Sequence, residues 1–228
     1  MMTNSIITID GPVGSGKSTI GRLLAKKLGY LYLDTGAMYR VIALESRERG
    51  IEAVDEQALA ALSGTIDIQF KQADDRQLVF SSGRDVTDAI RTPDIGMLAS
   101  RISALESVRR ALVGLQRQIG SHGGIVVDGR DAGTVIFPHA KYKFYLDATV
   151  EMRAQRRYKE FIEKKINIDY NSLFLDIQKR DHDDSSRSIA PLKPAPDAAI
   201  IDTTAMTLED VLEAISTRIA LNEQASLP

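Results

Sequence analysis

Short apolar runs recur along the chain, and each ends on an aspartate: SIITID at 5–10, YLYLD at 30–34, GIVVD at 124–128, KFYLD at 143–147 and AAIID at 198–202. Runs this short and continuous predict strands buried in a sheet. Between them the period changes. Ile20, Leu23, Leu24 and Leu28 recur at helical spacing, and Gly29 follows as a stop. Further helices are predicted over about 36–49, 93–104, 107–120, 151–165 and 170–180. Leu208, Val211, Leu212, Ile215 and Ile219 form the apolar stripe of a last one. One region departs from both rhythms. Over 65–87, TIDIQF, RQLVFSS and RDVTD alternate apolar with polar residues, and Gly83 suits a tight turn, so a small antiparallel insert is predicted there.

Strands alternating with helices give an α/β fold, a mainly parallel sheet covered by helices on both faces. The 228 residues suit a single domain, with PLKPAP at 191–196 as a connection. Composition adds exclusions. The chain is 43% apolar and 26% charged with a net charge of −2, so neither nucleic acid nor a membrane surface is an expected partner. No uncharged stretch approaches the ~20 apolar residues of a membrane span. The absence of cysteine excludes disulfides, cysteine–zinc sites and thiol chemistry. MMTNSIITID lacks the basic region and cleavage site of a signal peptide, so a cytoplasmic protein is expected.

The candidate chemistry begins at Gly11. GPVGSGKS, Gly11 to Ser18, fits G-x-x-x-x-G-K-[ST] in full, after a predicted strand and before a predicted helix. Glycines let the backbone curl so that successive N–H groups converge on phosphate oxygens, and the helix N-terminus adds its positive dipole end. Gly11, Pro12, Val13, Gly14, Ser15, Gly16, Lys17, Ser18 and the adjoining Thr19 are therefore the expected ATP-binding residues. Lys17 reaches the β- and γ-phosphates, and Ser18 is the expected Mg²⁺ ligand. The motif alone says only nucleoside triphosphate. A switch GTPase would also carry N-K-x-D for guanine, which this chain lacks.

The arginines bear on the acceptor. Arg40 follows one strand in DTGAMYR and Arg130 another in DGRD; Arg153, Arg156 and Arg157 lie on a charged helix, and Arg180 and Arg187 bracket RDHDDSSR. Carboxyl ends of parallel strands face the crevice where ligands bind in open α/β sheets, which places Arg40 and Arg130 toward the γ-phosphate. Several arginines suggest that donor and acceptor both carry phosphate, since arginine binds phosphate bidentately. A phosphate monoester with a second pKa near ~6 attacks without a general base. An alcohol acceptor would need one, and Asp34 or Asp131 is available for that alternative. Taken singly, each arginine reads equally as part of a solvated face or a surface ion pair, most of all Arg153, Arg156 and Arg157, which share their helix with Glu160 and Glu163.

ITIDGPVGSGKST, YLDTGAMYR, IVVDGRDAGTVIFP, RRYKE and KRDHDDSSRSIAPL, in this order, resemble the bacterial cytidylate kinase family of P-loop nucleoside monophosphate kinases. The similarity covers nearly the whole chain. It implies a P-loop kinase fold whose monophosphate-binding region, about 36–105, contains the antiparallel insert, and a lid at about 150–168 that carries Arg153, Arg156 and Arg157 over ATP. The implied reaction is Mg²⁺-dependent phosphoryl transfer from ATP to CMP or dCMP, in pyrimidine nucleotide metabolism, by a monomer. Arg40, Arg130 and Arg187 match the arginines that hold the acceptor phosphate; with Lys17 and Arg157 they make the expected catalytic set. Ser100, Arg109 and Asp131 match the cytosine-reading residues, and Arg180 and Asp184 those that bind the sugar hydroxyls. Asp34 and Thr35 join the substrate-binding residues, Thr35 keeping the hydroxyl of a position where serine is common. A carboxylate accepting from N4 of cytosine, with Arg109 donating to N3 and O2, would disfavour UMP, whose carbonyl oxygen would face the carboxylate. In RDHDDSSR, Arg180 and Asp184 are four apart and share a face if the helix continues. His182 is then a surface residue, and Asp181, Asp183, Ser185 and Ser186 are solvated or helix-ending.

Overall fold

The computed structural model describes residues 4–73 and 76–225. They form two compact units: a core unit built from residues 1–32 with 122–228, and a second unit, Leu33–Ser121, continuous in sequence. The monophosphate-binding region expected at about 36–105 lies inside the second unit, which extends further to take in a helix ending at Ile119.

A five-stranded parallel sheet flanked by helices forms the core unit. Its strands are β1 (Ile6–Asp10), β2 (Leu31–Asp34), β6 (Ile125–Gly129), β7 (Tyr142–Asp147) and β8 (Ala199–Asp202), in the order β2-β6-β1-β7-β8. The last two residues of the edge strand β2 already belong to the second unit. All five follow the predicted apolar runs. β1 pairs in parallel with both β6 and β7, so that Asp10 stands level with Gly129 and Tyr145. From β1 the chain passes to one side of the sheet and from β6 to the other. Such a reversal opens a crevice at the carboxyl ends of the strands. Side chains alternate along β1. Ile7 and Ile9 join the apolar cluster formed with Ile20, Leu24 and Ala25 of α1 (Lys17–Leu28) and Val211, Ile215 and Ile219 of α8 (Leu208–Ala225). Full burial of each large aliphatic side chain contributes about 1.5–3 kcal/mol. Thr8 and Asp10 occupy the opposite face and are equally buried. Leu23, expected in the stripe of α1, is 39% exposed, because the buried face runs through Ile20, Gly21, Leu24 and Ala25. Leu208 is also exposed, at the first turn of α8, where Thr207 and Asp210 exchange hydrogen bonds as a cap.

Two helices complete this unit, α6 (Val150–Glu163) and α7 (Tyr170–Ser186). They share a small apolar cluster of Ala154, Phe161, Leu173 and Ile177. Thr149 caps the first and Asp169 the second. α7 runs six residues past its predicted end, through the RDHDDSS stretch.

The second unit opens with α2 (Thr35–Glu48), capped by Asp34 Oδ1 accepting from the Ala37 N–H at 2.9 Å. α3 (Glu56–Thr65), capped by Asp55, was not anticipated from the pattern. The insert is an antiparallel sheet of β3 (Ile68–Ala73), β4 (Arg76–Ser81) and β5 (Arg84–Asp85). The turn expected at Gly83 is present: Ser82 and Gly83 have φ of 49° and 83°, the mirror-image hairpin turn that suits twisted strands. The β3–β4 connection at 74–75 lies outside the described residues. α4 (Pro93–Ile102), with proline in its first turn, and α5 (Glu106–Ile119) close the unit. Among the described residues, no helix is long and apolar enough to cross a membrane.

Candidate active site

The phosphate loop joins β1 to α1 as its motif requires. Gly11 has φ of 153°, and a Cβ there would lie 2.1 Å from the Leu146 carbonyl oxygen, so only glycine fits. Lys17 is buried and curls back over the loop, its Nζ donating to the Pro12 carbonyl at 2.9 Å. Gly16 begins α1 without a side-chain cap, which leaves the first N–H groups of the helix to the loop's ligand. Ser18 Oγ donates to Asp128 Oδ2 at 2.5 Å. In the sequence Asp128 reads only as the end of a strand. An aspartate ending the strand beside a phosphate loop is the signal that would have found it.

At the end of β6, Arg130 Nε donates to Asp184 Oδ2 at 2.8 Å. Arg187 adds Nη1 at 3.8 Å from Asp184 Oδ1 and Nη2 at 3.9 Å from Asp131 Oδ1. Because α7 continues through Ser186, Arg180 and Asp184 do share a helix, and Asp184 is buried on its inner face while His182 and Asp183 point to solvent. Burial would push the Asp184 carboxyl up, but Arg130, Arg180 and Arg187 outweigh it and hold the group below the usual carboxylate range. Burial likewise disfavours the charge on Arg130, and Asp184 and Asp128 overcome it. Asp184 and Arg130 thus hold each other in their charged forms.

The lid arginines divide. Arg153 is not on a solvated face: it is 3% exposed, and its guanidinium donates to Ala148 O at 2.8 Å and Val13 O at 3.1 Å and pairs with Asp181 at 2.6 Å. Asp181 accordingly is not a solvated spacer but ties α7, through Arg153, to the phosphate loop. Its partner lies 28 residues back in sequence, on another helix, a relation no spacing rule reveals. Arg156 donates to the Thr203 Oγ1 and carbonyl, and Thr203 Oγ1 in turn donates to Ser15 O at 3.2 Å. Arg157 pairs with Glu160 at 2.6 Å and lies over the Phe161 ring, the surface ion pair that the helix composition suggested.

The second unit holds the remaining expected residues. Asp34, besides capping α2, lies 3.6 Å from Arg91. Thr35 is buried in the first turn of α2. Arg40 donates to the Ile90 carbonyl at 3.2 Å and passes over Gly96, where its guanidinium atoms would lie 3.7–3.9 Å from a Cβ. Ser100 is one turn beyond Gly96 on α4, on the same face. Arg109, only 4% exposed, donates to Ser103 O at 2.9 Å and stacks 5.6 Å from the centre of the Tyr39 ring. Tyr39, missed in the sequence, orients this guanidinium from the residue next to Arg40.

A family model described as cytidylate kinase matches residues 7–221. A cytidylate kinase from Syntrophotalea carbinolica is 47% identical over 223 residues, spanning 98% of this chain and 95% of its own. One from Enterococcus faecalis is 48% identical over 209 residues, 92% of each chain. Among solved structures, a gluconokinase from Sinorhizobium meliloti 1021 aligns over the full length of both chains with a TM-score of 0.50 and 16% identity, a likeness of fold alone.

Proposed function

The chain belongs to the cytidylate kinase family, and on that footing we propose that it transfers the γ-phosphoryl group of ATP to CMP and dCMP, giving ADP and CDP or dCDP. The observation that carries this reading is the cluster of Arg130, Asp131, Asp184 and Arg187 at the end of β6, in the same unit as a complete phosphate loop. The acceptor phosphate is mostly dianionic at neutral pH and is itself the nucleophile, so no general base is required. Bringing two polyanions together requires charge neutralisation and in-line placement. Lys17 serves the donor, and Arg130, Arg187 and, from the second unit, Arg40 serve the acceptor phosphate. Asp131 accepts from cytosine N4, Arg109 donates to N3 and O2 with Ser100 beside it, and Arg180 and Asp184 take the sugar hydroxyls. Asp34 and Thr35 complete the acceptor side.

The charge on the phosphate oxygens of ATP would be offset by a bound Mg²⁺. Ser18 Oγ and the Asp128 carboxylate, hard oxygen donors 2.5 Å apart, fit such an ion. Residues 150–168 act as a lid over ATP. Arg156 and Arg157 reach the nucleotide, while Arg153, committed to Val13 and Asp181, sets the shape of the loop.

A coupled assay of ADP formation with CMP, dCMP, UMP, AMP and shikimate tests this. CMP and dCMP are expected to support turnover well above the others, and Lys17→Ala to lose on the order of 10²–10³-fold or more. ADP formation with another acceptor, and none above background with CMP, would refute the reading.

A further inference from the structure

Asp10 ends β1, one residue before the phosphate loop begins. Both of its carboxylate oxygens accept backbone N–H bonds, Oδ1 from Ala132 at 2.8 Å and Oδ2 from Gly133 at 2.7 Å. These are the two residues that follow Arg130 and Asp131. The chain turns there through a single π-type turn, in which the N–H groups of Val135 and Ile136 both donate to the Asp131 carbonyl, at 2.9 and 3.2 Å. Single π turns are uncommon and concentrate at functional sites. The fit is close: a Cβ on Gly133 would lie 2.8 Å from Thr8 Oγ1 and 3.3 Å from Asp10 Oδ2. Two convergent N–H donors need a side chain whose two termini both accept, which an ionised carboxylate provides and an amide or hydroxyl does not. Burying a carboxylate is costly, so its use to hold a plain turn calls for a reason.

We propose that Asp10 is a positioning residue for the acceptor nucleotide: by gripping Ala132 and Gly133 it fixes the strand end that aims Arg130 and Asp131. The inference rests on the reading that these two residues receive the acceptor's phosphate and base. It predicts a selective defect, because the grip acts on the acceptor residues and not on Lys17 or Ser18.

The grip also depends on charge. Burial pushes the Asp10 carboxyl up to about 6, against the lowering effect of the Gly133 and Ala132 N–H groups; Asp131 raises it further and Arg130 lowers it. From β7, the Lys143 side chain packs at Gly133 with its ammonium held by Asp197 and the Pro138 carbonyl, and the Tyr145 hydroxyl, pushed up to about 12 chiefly by burial and Asp147, also feels Asp10. Above about pH 6 both oxygens accept. Below it one becomes an O–H and one N–H of the turn loses its acceptor.

Asp10→Asn preserves shape but presents an NH₂ to one of the two N–H groups. Steady-state kinetics at neutral pH should show KM for CMP raised roughly tenfold or more, KM for ATP within about twofold, and a narrower preference for CMP over UMP. The ratio of wild-type to variant kcat/KM for CMP, followed from pH 5 to 8, cancels the titration of CMP itself. It should be large above about pH 6 and fall toward one below. Equal rises in both KM values, an unchanged KM for CMP, or a ratio flat with pH would overturn the proposal. If Asp10→Asn does not fold, Gly133→Ala displaces the same turn with Asp10 intact. A CMP-selective rise in KM is again expected, and a rise shared with ATP is the contrary result. A wild-type enzyme that uses another acceptor but not CMP refutes the preceding reading instead, and Asp10 is then judged on that acceptor's KM.

Discussion

Asp131 shows how far a single residue can be read. Its place in DGRD marks it as a strand-end carboxylate, and the structure buries it with Arg187 3.9 Å away. Two uses are open to such a group, anchoring an arginine or reading a base, and they part in one experiment. Asp131→Asn keeps shape and removes the charge while offering an amide that pairs with either pyrimidine edge. If the carboxylate reads N4, the CMP-to-UMP ratio of kcat/KM should fall by roughly tenfold or more, because the closed site no longer sets two acceptors face to face. A loss of rate with the ratio unchanged would leave Asp131 as an anchor only. The residues legible in the sequence were those within motifs: the loop, the strand-end arginines, the spaced Arg180–Asp184–Arg187 set. Those that escaped act across the fold. Asp128 meets Ser18 over 110 positions, Asp10 meets Ala132 over 122, and Asp181 meets a helix that the sequence made look solvated. A hydrogen bond between distant segments leaves no periodic trace.

At the scale of elements, the apolar runs located the five strands of the parallel sheet, because a sheet covered by helices on both faces favours continuous hydrophobicity, while alternation located the antiparallel insert. Helix ends were harder. α7 extends past its apolar residues because the inner stripe begun by Leu173 and Ile177 is continued by Asp184, a charge made tolerable there by Arg130, Arg180 and Arg187. α3 was missed because only Leu59, Leu62 and Ser63 are buried along it, too few for a clear period. The small antiparallel sheet is fastened to α2 by one buried carboxylate. Glu45 accepts from Ser81 Oγ at 2.5 Å, from Arg84 at 3.0 Å and from Arg49 at 2.9 Å, and Arg84 also pairs with Glu48. Burial would raise the Glu45 carboxyl, but these three donors outweigh it and lower it. A lowered folded-state value means that the stabilisation is fully present above the unfolded value of about 4.3 and is lost as pH falls through the folded one. Glu45→Gln should therefore destabilise the protein at pH 7 by about 1–2 kcal/mol, modest because Arg49 and Arg84 are half exposed and regain water. In thermal melts the gap between variant and wild type should narrow as pH falls below that unfolded value. A gap constant with pH would mean that packing, not charge, fastens the insert.

At the scale of the whole chain, Asp34, Thr35, Arg40, Ser100 and Arg109, all assigned to the acceptor, lie in the continuous second unit, and Arg130, Asp131, Arg180, Asp184 and Arg187 lie in the core. Those assigned to ATP all lie in the core. The sequence marks the second unit by its antiparallel insert, but the unit's limits depend on which helices pack together and leave no trace in the pattern. The division nonetheless gives the assignments a collective test. A ligand that binds only the folded state slows local opening wherever its contacts lie, by up to about 2.7 kcal/mol at a hundred times its Kd. In hydrogen exchange, ATP alone should protect the amides of 11–18. CMP should protect two stretches remote in sequence, 96–109 on α4 and α5 and 130–136 after β6, and AMP at the same concentration neither. Protection by CMP confined to 130–136 would strike Ser100 and Arg109 from the base-reading set while leaving the phosphate-binding arginines of the core in place. Protection confined to 96–109 would do the reverse and would remove the ground for Asp10 as well.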